Sequence, residues 1–248
     1  MSDMENTFSF GQGDGHIGSK SKAWKAEGGN TYRLSFAWWP LDADGNPDLG
    51  AVGEGKAPLF SGGLTNFIQG VGYVMNTGAE YTTLAGERPR QRIATVIIIW
   101  PTDKKGALDK ARLANGDFEV KPWVISSEKY KTLELLHHEF SFGEHDITAK
   151  CDEGGTQYQK LTFTPSKENL YRQLLSTTKM ASVTQRIKDE VAVVVSGLQE
   201  FVGRKMTIQQ IREKLNQSGG SPVVRDSGDA FAASAGNIES LVGGLLDE

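Results

Sequence analysis

Alternation of apolar and polar positions dominates the first two thirds of the chain. In TYRLSFAWW (31–39), Tyr32, Leu34, Phe36 and Trp38 fall on one side, and Arg33, Ser35, Ala37 and Trp39 on the other. A period of two with aromatic enrichment predicts a strand, ended by Pro40 before the turn-rich DADGNPDLG (42–50). The stretch LTNFIQGVGYVMN (64–76) fits a strand or a helix, with Gly70 and Gly72 favouring an extended or bulged path. QRIATVIIIW (91–100) is the clearest strand and again runs into a proline. DFEVKPWVI (117–125) reads as a strand whose Pro122 cannot donate to a ladder, which places it at an edge or a bulge. HDITAKC (145–151) and TQYQKLTFT (156–164), joined by DEGG (152–155), predict a hairpin.

Helical spacing takes over later. Ser126 or Ser127 can cap a helix over residues 128–140. Val183, Ile187, Val191, Val194 and Leu198 recur at helical spacing and predict one helix over 183–202. A short helix follows over 207–215, with Thr207 and Gln210 spaced as a capping box. The expected class is β-rich α+β. Its divisions are an N-terminal extension (1–29), a β-rich core (30–175), a helical segment (176–215) and a flexible tail (216–248).

Composition narrows the setting. Cys151 is the only cysteine, so no intramolecular disulfide is available, and a reducing, cytoplasmic location is the expectation. Residues 1–19 hold no Lys or Arg and no apolar core, unlike a signal peptide. The longest apolar runs, VIIIW (96–100) and VAVVV (191–195), are far too short to span a bilayer, so no membrane partner is expected.

The net charge of −4 is unevenly spread. Residues 216–248 carry Asp226, Asp229, Glu239, Asp247 and Glu248 against Arg225, a net of −4, so residues 1–215 sum to zero. Within that body the window 88–131 holds ten basic and five acidic residues, a net of +5. A locally basic body with an acidic tail suggests a nucleic-acid partner, with the tail as competitor or adaptor.

Several chemistries find no support. No serine sits in a nucleophile-elbow pattern, no Gly-Lys-Ser/Thr triplet exists, and QGVGYV (69–74) lacks the GxGxxG spacing. His137, His138, His145 and Cys151 fall within 15 residues, but one cysteine and two adjacent histidines about 100° apart on a helix make a poor zinc set. A Mg²⁺ nuclease built on Asp103, Glu119 and Lys121 is the strongest enzymatic alternative. Strand alternation puts Glu119 and Lys121 on one face, as a metal carboxylate and a lysine steering water require. Acid-x-base triplets are nonetheless common on solvated strand faces. The expectation is a non-enzymatic protein without metal or cofactor.

Single strands are held by aromatic rings that stack bases and by cations that follow the backbone. The candidates here are Tyr32, Arg33, Trp38, Trp39, Arg88, Arg90, Arg92, Lys104, Lys105, Lys121 and Tyr158. Arg88, Arg90 and Arg92 alternate and so share a face at a strand entry. Large aromatics such as Phe36, Trp38 and Trp100 can equally be core.

The tail ends in NIESLVGGLLDE (237–248) after a soft run rich in Gly, Ser and Ala. An acidic, flexible end with an apolar tip resembles the C-termini of bacterial and phage single-stranded DNA-binding proteins. The matching residues are Glu239, Leu241, Val242, Leu245, Leu246, Asp247 and Glu248. The resemblance implies a tail that occupies the DNA groove in the free protein and recruits replication, recombination or repair proteins. The organisation of residues 59–81, 90–110, 117–133 and 146–165 also resembles phage helix-destabilising proteins. That resemblance implies an OB-like β-barrel core with stacking aromatics, no catalysis, and the host cytoplasm as the location. The T-even-type cysteine–histidine zinc set and a basic N-terminal arm are both missing. The function expected is sequence-tolerant single-stranded DNA binding, with an accessory of a phage polymerase as a variant and self-association left open.

Overall fold

The computed structural model describes residues 23–40, 42–43, 48–54, 60–103, 106–153, 161–166 and 168–217. The fold is mixed α+β around a seven-stranded antiparallel sheet. Its strands are β1 (Thr31–Phe36), β2 (Ser61–Ile68), β3 (Gly72–Met75), β4 (Arg90–Trp100), β5 (Glu119–Ile125), β6 (Ile147–Cys151) and β7 (Leu161–Pro165). They run in the order β3-β2-β4-β1-β6-β7, with β5 also paired to β4.

The long strand β4 organises this sheet. β5 pairs with it over Ile93–Ile99, while β2 takes Arg90–Ala94 and β1 takes Arg33 to Phe36 against Ile97–Trp100. A strand has two edges, so β2 and β1 must share the edge that β5 leaves. Pro122 sits opposite Val96 in β5, the strand that pairs with β4 alone. This matches the edge position that its missing N–H demands. Among the described residues no pairing joins β3 to β7, and the sheet they form is not closed.

Both faces of β4 are covered, which explains its unbroken apolar run. Ala94, Val96, Ile98 and Trp100 belong to a core shared with Leu170, Tyr171 and Leu174 of α4 (Leu170–Leu175). The same core takes Ile187 and Val191 of α5 (Ala181–Ser196), and Leu198 and Val202 of α6 (Leu198–Val202). Ile93 and Ile97 face the other way, into a cluster with Phe36, Trp123 and Phe142. Tyr130 and Leu133 of α3 (Ser127–Glu139) close that side. A third cluster sets α7 (Ile208–Gln217), through Ile211 and Leu215, against Ile68, Val71 and Val74 of the β2–β3 hairpin.

Local signals account for the helix limits. Ser126 caps α3, its Oγ accepting from the Lys129 N–H at 3.3 Å. Thr207 and Gln210 form the expected capping box: the Thr207 N–H donates to Gln210 Oε1 at 2.8 Å, and the Gln210 N–H to Thr207 Oγ1 at 3.2 Å. The single helix expected over 183–202 is instead two, broken at Gly197. Three short helices were not anticipated: α1 (Ala79–Ala85), α2 (Lys110–Ala114) and α4. Among the described residues no helix is long and apolar enough to cross a membrane.

Candidate nucleic-acid interface

The segment 61–75, ambiguous in sequence, is a β-hairpin. Gly70 and Gly72 have φ of 81° and 97°, backbone that a side chain would strain, and they turn β2 back into β3. The register then pairs Phe67 with Tyr73, ring centroids 5.1 Å apart at 61°. Both stay open to solvent, Phe67 at 50 % and Tyr73 at 38 % exposure. Large exposed aromatics side by side are uncommon on a protein that buries most of its apolar side chains.

Pairing with β4 brings the arginines to that face. Thr65 lies opposite Arg90 and Gly63 opposite Arg92, so Arg90, Arg92, Phe67 and Tyr73 all point to one side of the sheet. The Arg92 guanidinium settles 3.6 Å from the centre of the Tyr73 ring. Its Nη2 donates to the Phe201 carbonyl at 3.0 Å. Its Nε is shielded from solvent and has no hydrogen-bond partner among the described residues. Burial pulls this guanidinium below its ordinary pKa, against the opposing pull of Tyr73. Arg90 is largely exposed, with Glu87 at 3.3 Å, an ion pair that salt screens readily. Arg88 is exposed just before β4. Exposed rings beside arginines can stack bases while cations follow phosphates.

The other sequence candidates go elsewhere. Trp38 and Trp39 are buried, at 4 % and 3 %, in the core under α4–α6, and the Trp38 Nε1 donates to the Gly53 carbonyl at 2.8 Å. Packing claims both, against the expectation of stacking. Tyr32 is half-buried, edge-on to Trp24 at 5.3 Å, and its hydroxyl accepts from the Glu27 N–H. Lys121 lies 3.5 Å from Glu119 on β5.

Arg33 is committed to a buried carboxylate. Its Nε donates to Asp146 Oδ2 at 2.7 Å and its Nη2 to the Glu168 carbonyl at 3.0 Å. Asp146 is fully buried and also accepts from the Ser35 hydroxyl and the Leu170 N–H, while Trp100 Nε1 donates to Ser35 Oγ at 2.7 Å. The network ties β1, β4 and the start of α4 together. Burial pushes the Asp146 carboxyl up to about 6, outweighing the opposing pull of Ser35, Arg33 and the Leu170 N–H.

The residues weighed for metal chemistry separate in part. Asp103 and Glu119 do line one polar cleft of about 360 Å³, together with Arg112 and Asp117. Asp103 Oδ1 accepts from the Ala107 N–H at 2.9 Å, and Asp117 accepts from Arg112 Nε at 2.6 Å. His137 Nδ1 accepts from the Phe142 N–H at 3.0 Å, and burial lowers its pKa. His145 Nδ1 lies 2.9 Å from the Ser166 carbonyl, and Cys151 is buried. Among the described residues no group of three or more His, Cys, Asp or Glu is arranged to hold a metal ion. Lys104, Lys105, Tyr158 and the tail candidates Glu239, Leu241, Val242, Leu245, Leu246, Asp247 and Glu248 lie outside the described residues.

Phe67 and Tyr73 were absent from the sequence candidates. The signal was the pair Gly70 and Gly72: read as a turn, it sets the two aromatics opposite each other. Comparison with protein-family models, with curated proteins and with solved structures finds no match to this chain.

Proposed function

We propose that this chain is a sequence-tolerant single-stranded DNA-binding protein, phage-encoded, that acts in replication, recombination or repair in the host cytoplasm. In this reading the sheet around β4 is the OB-like nucleic-acid-binding core, and the tail recruits partners through its leucines and acids. One observation carries the reading: Phe67 and Tyr73 stand exposed on the sheet face that also bears Arg90 and Arg92. A base stacked on an aromatic ring contributes roughly 1–3 kcal/mol, and any base can do so, because each has a π-face.

Titration of a labelled oligo-dT with the full chain tests it by anisotropy. Phe67→Ala with Tyr73→Ala should weaken binding roughly 5- to 150-fold, from one stacked base at the stated energies. No binding by the wild type, or equal binding by an equally folded double variant, would overturn the proposal.

The second reading, a Mg²⁺ nuclease, rests on Asp103 and Glu119 meeting in one cleft. Incubating the chain with single- and double-stranded DNA and Mg²⁺ or Mn²⁺ separates the two. Cleavage lost in Glu119→Ala with Lys121→Ala supports the nuclease. No cleavage supports the binding module.

A further inference from the structure

A groove of about 600 Å³ opens where the β2–β3 hairpin meets the first turn of α7. Leu64, Met75 and Met206 form its apolar walls, with Asn76, Lys205 and Gln210 at the rim. Leu64 is 53 % exposed, a large aliphatic side chain facing an open groove of a size that takes a ligand or a short peptide. Phe67, Tyr73, Arg90 and Arg92 are not among its lining residues, so the groove is distinct from the proposed nucleic-acid interface.

We propose that this groove holds the apolar tip of the chain's own tail, Leu241, Val242, Leu245 and Leu246. The inference does not depend on nucleic-acid binding. Three observations single out this occupant. First, residues 218–248 follow α7, the helix whose start lines the groove. By contrast, residues 1–22 enter the fold at Trp24, whose N–H donates to the Pro122 carbonyl on β5.

Second, the reach is sufficient. A Gly/Ser-rich tether from 218 to 240 spans roughly 26 Å on average, while the ten residues of α7 cover only about 15 Å. A tether of this kind holds its end at an effective concentration on the order of mM, so weak contacts suffice for occupancy. Third, charges complement. The groove is lined by Lys205 and no acid, and Arg204 is exposed beside it, while Glu239, Asp247 and Glu248 flank the leucines of a tail with net charge −4. Docking hides the leucines until a partner competes for them, which makes the groove a rest position for the tail.

A nitroxide at Ser240→Cys in the full chain tests this, since buried Cys151 is shielded from the label. The chain carries five methionines, and methyl-labelled methionine reports on Met75 and Met206 in the groove, with Met180 at the start of α5 as control. The active label should erase the Met75 and Met206 signals relative to the reduced label and leave Met180 visible. Leu64→Arg, at an exposed position, should restore both, and so should Leu241→Ser with Leu245→Ser and Leu246→Ser. Intact Met75 and Met206 signals beside the active label would overturn the proposal. So would signal loss that persists in Leu64→Arg. Recovery on adding excess unlabelled chain would show the groove filled by a second copy, which also overturns it.

Discussion

Replacing Asp146 by Asn removes one titration from the middle of the β1–β4–α4 network without changing its shape. The carboxyl has its pKa at about 6 in the fold against an ordinary 3.8, so the folded state holds the proton more tightly than the unfolded chain. A folded pKa above the unfolded one gives stability that is fully present below pH 3.8 and is lost as pH rises through 6. The whole span corresponds to on the order of 3 kcal/mol, of which about 1.4 kcal/mol is reached at pH 5. Urea unfolding followed by tryptophan fluorescence, at pH 7.5 and pH 5 and fixed ionic strength, reads this directly. Asp146→Asn imitates the protonated carboxyl, so its stability does not follow this titration. Wild-type stability minus variant stability should rise by about 1.4 kcal/mol on going to pH 5. A difference that stays constant, or that falls at pH 5, would show that Arg33, Ser35 and the Leu170 N–H keep Asp146 ionised. The argument that burial dominates would then fail.

Two further outcomes follow from the placement of individual side chains. Arg88→Ala with Arg90→Ala should reduce the slope of log affinity against log salt by about 1.4, two contacts at roughly 0.7 each on single strands; an unchanged slope in the oligonucleotide titration places the phosphate path elsewhere. Trp39→Ala should cost about 3–5 kcal/mol in urea unfolding while leaving the affinity of the folded fraction unchanged, since Trp39 is core; weakened binding at full stability would return it to the interface.

Much of the fold was legible because periodicity reports burial directly. β1, β4, β5 and β6 fall within or close to the expected spans, and the capping box at Thr207 is present atom for atom. The run VIIIW reads as a strand with both faces covered, and the two cores on either side of β4 are the reason. Short helices were missed because five to seven residues carry too few turns for a 3.6 period to show. Gly197 lies inside an otherwise helical apolar pattern, so spacing alone could not reveal the break between α5 and α6. Closure is a matter of long-range pairing, which local alternation does not encode, and the OB-like barrel came only from resemblance.

The candidate site was legible in its cations and not in its aromatics. Arg90 and Arg92 share a face as alternation requires. Trp38 and Trp39 were attractive as stacking residues because of their size, yet the same size makes them core. Phe67 and Tyr73 are separated by a turn, so only the hairpin register brings them together.

Crosslinking tests the central claim most directly, because it reports which residue touches a base. The full chain, irradiated with an oligo-dT carrying 5-iodouracil and digested for mass spectrometry, should yield its nucleotide adducts at Phe67 or Tyr73. Adducts confined to the cleft that Tyr32 and Trp100 line together with Asp103 and Glu119, or none in a sample that binds the oligonucleotide, would contradict an interface on the β2–β3 hairpin.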